Sequence, residues 1–354
     1  MFVSCGSSAR RNPIEWGAGG GTRRPWGIDI HNHVMVPEVN ELIADVQDEA
    51  WDPFIEFSGE SGVYNAGHFH EIVPKMVGPE ERLTDMDRMG VEIDALAIGP
   101  PQYCYWTIPE LGTRISRVQN DYIAQMVAAD PERFVGMANL PMQDVGAAVA
   151  EMDRAIGELG FPGVQIAPSV NGRDLDGPEF RPFWAKAHEL GAVVILHPHG
   201  YSDGSRMTDY YMINVVGNPL DSTVATMRLI FGGVLEEYPD LKIVVVHGGG
   251  YLPFYADRMD HAYAVRPECR QNISRKPTDY LRKLHFDSVV FGSAGLGFLI
   301  SQYGADHVLL GTDYPYDMGE TDPIGLIESV PGITREEIVS IVRGNAARLL
   351  GISD

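Results

Sequence analysis

The chain has 354 residues, 27 Lys and Arg against 49 Asp and Glu for a formal charge of −22, and 44% hydrophobic residues. That is an ordinary globular composition, long enough for two average domains or one large α/β barrel, and either buries a core without disulfides or structural metal. A field this negative opposes nucleic-acid phosphates and anionic lipid, so an anionic small molecule must be held by locally placed cations.

Residues 1–26 are rich in Gly, Arg and Ser and carry no apolar signal core, and the glycines of "GAGGGTRRP" neither follow a strand nor open a helical pattern. They read as a flexible leader, with a single domain over 27–354. Cys5, Cys104 and Cys269 lack the spacing of a zinc knuckle or redox pair, and no run of 18 apolar residues occurs. A cytoplasmic protein with no membrane partner is expected.

After the leader, short runs of Val, Ile and Leu recur at 27–33, 93–100, 134–142, 163–167, 192–199, 242–249, 284–291 and 307–314. Each is too brief for a helix, and most are continuously apolar, as strands covered on both faces are. Helical patterns separate them. Asp144 caps one that stops at Gly160, Pro178 opens one that stops at Gly191, and Thr334 with Glu337 has capping-box spacing ahead of a last helix ending at Gly351. Eight strands alternating with helices, without a glycine fingerprint after the first, predict a TIM-like (β/α)8 barrel rather than a doubly wound sheet. The stretch 36–81 is long for a βα connection and rich in aromatic residues, Pro and Gly, which suits an insertion over the barrel mouth and makes it a candidate lid.

Active sites of such barrels gather at the C-terminal ends of the strands. Strand one ends in His31-Asn32-His33, strand five in His197-Pro198-His199, strand six in His247 followed by three glycines, and strand eight in Thr312-Asp313-Tyr314. Alternate residues share a strand face, so His31 and His33 form a bidentate-ready pair, and neutral imidazole is a common ligand for divalent metals. Any one of these side chains alone fits a satisfied core residue. Five of them on four strand ends point to a metal centre. His188, His261, His285 and His307 fall in helices or at strand starts, where ligation is not expected. His199, His68 and His70 could reach the site.

The blocks "DIHNH", "RFVGMANLPMQ", "ELGFPGVQI", "ILHPH", "GGVLEEYPDLKIVVVHGGGYLPFYADR", "VLLGTDYPYDMGE" and "GNAARLLG" resemble the metal-dependent amidohydrolase superfamily. The likeness is to its decarboxylase branch, typified by α-amino-β-carboxymuconate-ε-semialdehyde decarboxylase, and runs from about residue 28 to 351. The resemblance implies one divalent metal, zinc first and manganese second, held by His31, His33, His197 and Asp313. Strand four has no lysine to bridge a second ion. It also implies that His247 acts as general base or proton shuttle, that Asp313 relays a proton, and that Tyr211 lies in the pocket. Arg258 would then bind the substrate carboxylate of a neighbouring subunit in a homodimer or higher homo-oligomer. The family's second substrate arginine has no counterpart in "HFHEIVPKMVGPEERLTDMDRMGV", where His70 or Lys75 stands in its place, so the muconate semialdehyde itself is not implied.

Two reactions follow from such a site: non-oxidative decarboxylation of an aromatic or unsaturated ring-cleavage acid, or hydrolysis of an amide, ester, lactone or C–C bond by water activated at the same metal. A non-catalytic scaffold is disfavoured by the complete ligand set with His247.

Overall fold

The computed structural model describes residues 27–47 and 51–353, so the leader and part of the insertion lie outside the described residues. Eight parallel strands form one sheet in chain order. They are β1 (Gly27–Val34), β2 (Val91–Ile98), β3 (Phe134–Ala138), β4 (Gly163–Ile166), β5 (Val193–Leu196), β6 (Lys242–Val245), β7 (His285–Asp287) and β8 (Val308–Leu309). The segment after β8 returns to β1: Ile30 N donates to the Leu310 carbonyl at 3.0 Å and His33 N to the Tyr314 carbonyl at 2.8 Å. Sheet closure with helical connections makes this the expected (β/α)8 barrel.

Period-two patterning fills both faces. Val193 and Ile195 of β5 and Val244 of β6 pack inside the barrel with Ile93, Ala95 and Ala97 of β2. Their sequence neighbours Val194, Leu196, Ile243 and Val245 pack outward against the helices. The barrel interior is therefore filled by hydrocarbon below the strand ends that carry the histidines.

Helix ends follow the sequence closely. Asp144 Oδ1 accepts from Ala147 N at 3.0 Å to start Val145–Gly157, which stops short of Gly160. Gly191 ends Arg181–Leu190 in the left-handed region at φ 60°. Thr334 and Glu337 form a reciprocal capping box. Strand ends were harder to place. The expected strand 242–249 gives way after Val245 to a turn in which His247 (φ 55°) and the following glycines are left-handed. The glycine run makes this turn affordable: a Cβ on Gly250 would sit 2.3 Å from the Pro219 carbonyl oxygen.

The insertion carries three helices, α1 (Glu38–Ile43), α2 (Pro53–Glu56) and α3 (Ser61–Val77), before α4 (Pro79–Met89) leads into β2. Arg82 of α4 fixes this segment to the barrel. Fully buried, it donates to Asp94 Oδ2 at 2.8 Å, to Asn32 Oδ1 at 3.0 Å and to the His33 carbonyl, and it lies over the Tyr314 ring. Breaking such a buried pair strands a charge and generally costs about 3–5 kcal/mol.

Candidate metal centre and active site

β1 is pure strand to its end, yet both Ile30 and His31 turn inward. A register shift against β2 between Asp29 and Asn32 breaks the alternation, so the apolar interior ends at Ile30 and the ligating face begins at His31. Bulges re-aim side chains in this way beside active sites. Asp29 holds the distortion in place, accepting from His31 N at 2.9 Å, Thr312 N at 3.1 Å and Thr312 Oγ1 at 2.5 Å.

Four strand ends converge. His31, His33, His197 and Asp313 are buried, and one ligand atom from each lies within 4.8 Å of the others. Asp313 Oδ1 stands 3.0 Å from His33 Nε2, 3.3 Å from His31 Nε2 and 3.9 Å from His197 Nε2. Its other oxygen, Oδ2, is 3.4 Å from His247 Nε2. Asp313 and His247 both occupy the left-handed region, at φ 59° and 55°. Such backbone strain in non-glycine residues is tolerated where function fixes a side chain.

The outer nitrogens fix the ring orientations. His31 Nδ1 donates to Asp287 Oδ2 at 2.5 Å and His197 Nδ1 to the Pro198 carbonyl at 2.8 Å, which turns each Nε2 toward Asp313. Those two Nε2 atoms are buried and have no hydrogen-bond partner among the described residues. Two buried imidazole nitrogens facing a carboxylate without a hydrogen-bond partner are costly in protein alone and suit a cation.

Electrostatics lead to the same requirement. Burial opposes charge on Asp313, but the His31 charge and the imidazoles of His197 and His247 around it hold its carboxyl well below the usual range. Burial likewise opposes charge on His31, yet Asp313 and Asp287 raise it to about 10. Burial drives His33 down to about 4 and His197 well below its ordinary value. The cluster thus keeps a carboxylate ionised and two imidazoles neutral in a buried space, a donor set that suits one divalent cation.

Beside the cluster opens a cavity of about 500 Å³, walled by Phe54, Ile55 and Phe69 of the insertion and by Pro100 and Pro101 after β2. Volume and lining suit an aromatic small molecule. Its polar groups include Asp313, Tyr211, His68, His199, Asp52 and Asp317, and none of its lining side chains among the described residues is Lys or Arg. His199 Nε2 and Asp52 Oδ2 meet at 2.6 Å, while Asp52 Oδ1 accepts from Phe54 N at 2.8 Å to cap α2. This pair fastens the insertion to the end of β5.

Of the side chains expected here, His31, His33, His197, His247, Asp313 and Tyr211 meet at the mouth. His70 is exposed and does not line the cavity, whereas His68 does. Arg258 lines a separate hollow with Phe254, Tyr255 and Phe298, away from its own chain's metal centre. Asp287 was missed in the sequence reading. It is a lone acidic residue inside the expected run 284–291, and only in the structure does it close β7.

A profile of the amidohydrolase family matches residues 28–352. The 2-amino-3-carboxymuconate-6-semialdehyde decarboxylase of Dictyostelium discoideum is 34% identical over 340 residues, covering 92% of this chain and 91% of its own. The crystal structure of 5-carboxyvanillate decarboxylase from Sphingomonas paucimobilis superposes with a TM-score of 0.83 at 26% identity, covering 93% of this chain and 100% of that one. A dihydroxybenzoic acid decarboxylase from Polaromonas sp. JS666, with bound manganese and the inhibitor 2-nitroresorcinol, gives 0.78 at 26% identity over 92% of this chain and 97% of that one. The chain belongs to the amidohydrolase family, in the branch formed by these decarboxylases.

Proposed function

We propose that the protein is a metal-dependent carboxy-lyase that removes carbon dioxide, without oxidation, from an aromatic carboxylic acid. The observation that carries this is the juxtaposition of the four-residue metal centre with an aromatic-walled cavity that shares His197 and Asp313 with it. The decarboxylase relatives support the same reading.

His31, His33, His197 and Asp313 would hold the cation. When bound, it supplies an electrophile that draws electron density from a substrate oxygen conjugated with the carbon that loses carbon dioxide. The chain's own groups do the rest. The C–C bond to the carboxylate breaks, its electron pair stays on the ring carbon, and a proton must reach that carbon. His247 Nε2, 3.4 Å from Asp313 Oδ2, is placed to pass one through the carboxylate. Phe54 and Phe69 offer aromatic faces in the cavity against which the ring would pack.

Zinc is our first assignment for the ion, on the chemistry of three imidazoles and one carboxylate; the manganese of the Polaromonas relative supports manganese as the second. We further propose a single catalytic domain over 27–354, with the insertion 36–81 as its lid, and a homodimer in which Arg258 of the partner subunit pairs with the substrate carboxylate. The exposed Phe254 and Tyr255 beside Arg258 support such an interface. Cytoplasmic location is supported by the free thiols of Cys104 and Cys269. Among the described residues no helix is long and apolar enough to cross a membrane.

The test is incubation of metal-analysed protein with hydroxylated aromatic acids, following carbon dioxide and product mass. Loss of the mass of carbon dioxide, stopped by chelation and restored by zinc or manganese, is the expected result. Gain of water without carbon dioxide would place the protein among hydrolases instead.

A further inference from the structure

The wall of the cavity that faces the metal centre from the insertion is one side of α3. Asn65, His68 and Phe69 stand at i, i+3 and i+4 on that helix and all line the cavity, while the expected candidate, His70, falls on the far side and is exposed. His68 has a second property. Its Nε2 is buried and has no hydrogen-bond partner among the described residues. A buried polar nitrogen without a protein partner is unfavourable, and on a cavity wall a hydrogen bond from a ligand atom would satisfy it.

The chemistry of the ligand atom follows from its surroundings. Asp52 and Asp317 also line the cavity, and no Lys or Arg does among the described residues. A second carboxylate on the substrate would face Asp317 and the Asp52–His199 pair with no Lys or Arg of this chain to answer it, whereas an imidazole and the amide of Asn65 suit an uncharged hydroxyl or carbonyl. We propose that His68 is a specificity-determining residue, which selects aromatic acids carrying one carboxylate and a neutral hydroxyl on the ring edge away from the metal.

This deepens the decarboxylase reading and rests on it for the orientation of the acid. It also separates this chain from two of its relatives, whose names specify substrates with two carboxylates, 2-amino-3-carboxymuconate-6-semialdehyde and 5-carboxyvanillate.

The experiment is a binding and turnover comparison on manganese-loaded wild type, His68→Leu and His68→Gln. The probes are 2-hydroxybenzoates bearing hydrogen, hydroxyl or carboxylate at ring position 4 or 5. Affinity is read by calorimetry and carbon dioxide release is followed separately. Wild type should prefer the hydroxyl acid over both others by about 10–100-fold at one of the two positions. The Leu variant should lose that preference over the hydrogen acid, and Gln, which keeps a donor and an acceptor, should recover part of it. A side chain that only packs would weaken all three acids together and leave the ratio intact, which would overturn the proposal, as would tightest binding of a dicarboxylate. Carbon dioxide from none of the acids, with the binding order as stated, would refute the decarboxylase reading and uphold the role of His68. Release of carbon dioxide with a flat binding order would do the reverse.

Discussion

Two groups of histidines sit at opposite ends of the same barrel, and only one is built as a site. At the foot, His285 opens β7 and stacks on His307 at 5.0 Å between ring centroids. His307 Nδ1 donates to the Leu284 carbonyl at 2.8 Å, and the nearest acid, Asp306, is exposed and 3.9 Å away. At the mouth, by contrast, a buried carboxylate stands among four imidazoles, and a second, Asp287, orients one of them from behind. Imidazole at least partly withdrawn from solvent is common to both ends. What distinguishes the mouth is convergence on an ionised carboxylate, with the outer nitrogens of His31 and His197 already committed so that their Nε2 atoms face inward.

That contrast can be broken by mutation, and the largest effect belongs to the ligands. His33→Ala or His197→Ala should lose the bound cation and reduce turnover to the uncatalysed background, read by elemental analysis alongside carbon dioxide release. A variant that kept one ion per chain would show that the cluster is not the binding site. His247→Ala should retain the ion but slow turnover by at least about 100-fold, the usual scale for an acid–base group; near-normal rates would remove it from the proton path. Asp287→Asn should weaken metal affinity or activity by about 10–100-fold through loss of His31 orientation, without touching the ion itself. Affinity and activity both equal to wild type would reduce Asp287 to a packing residue.

The smallest functional effect is expected at the foot. His285→Gln should leave turnover within about twofold, since the pair lies at the sealed end of the barrel, but it should change stability in acid. Burial, then the charges of His307 and Arg348, push His285 down to about 4 from an ordinary 6.5. The unfolded chain therefore takes up a proton that the folded one refuses between those values. Stability from the neutral ring is fully present above about pH 6.5 and falls as pH drops toward 4, by on the order of 2–3 kcal/mol. Denaturant unfolding at pH 7 and pH 5 should show a shallower acid loss in the variant, and an equal loss in both proteins would assign acid sensitivity elsewhere.

The barrel was legible because its strands are short, buried on both faces and punctuated by capping residues such as Asp144, Gly191 and Thr334, all local signals. The ligands were legible for a related reason: a polar residue closing an apolar strand has nowhere to go but the mouth. Strand ends were less so, because backbone at β6 and β8 leaves the sheet early to place His247 and Asp313 in strained conformations that no propensity favours. Asp287 and His68 needed the third dimension. One is paired across 256 residues with His31, and the choice between His68 and His70 depends on how α3 rolls against the barrel, which two histidines in one helical turn do not reveal.

The central claim is that one cation held by His31, His33, His197 and Asp313 makes this chain a decarboxylase. It is tested most directly by stripping the purified protein of metal and titrating zinc or manganese back while recording carbon dioxide release from a turned-over hydroxybenzoate. The account predicts activity that is absent in the apoprotein, rises in proportion to added ion and saturates at one per chain. Full activity without metal, or saturation only at two ions per chain, would contradict it.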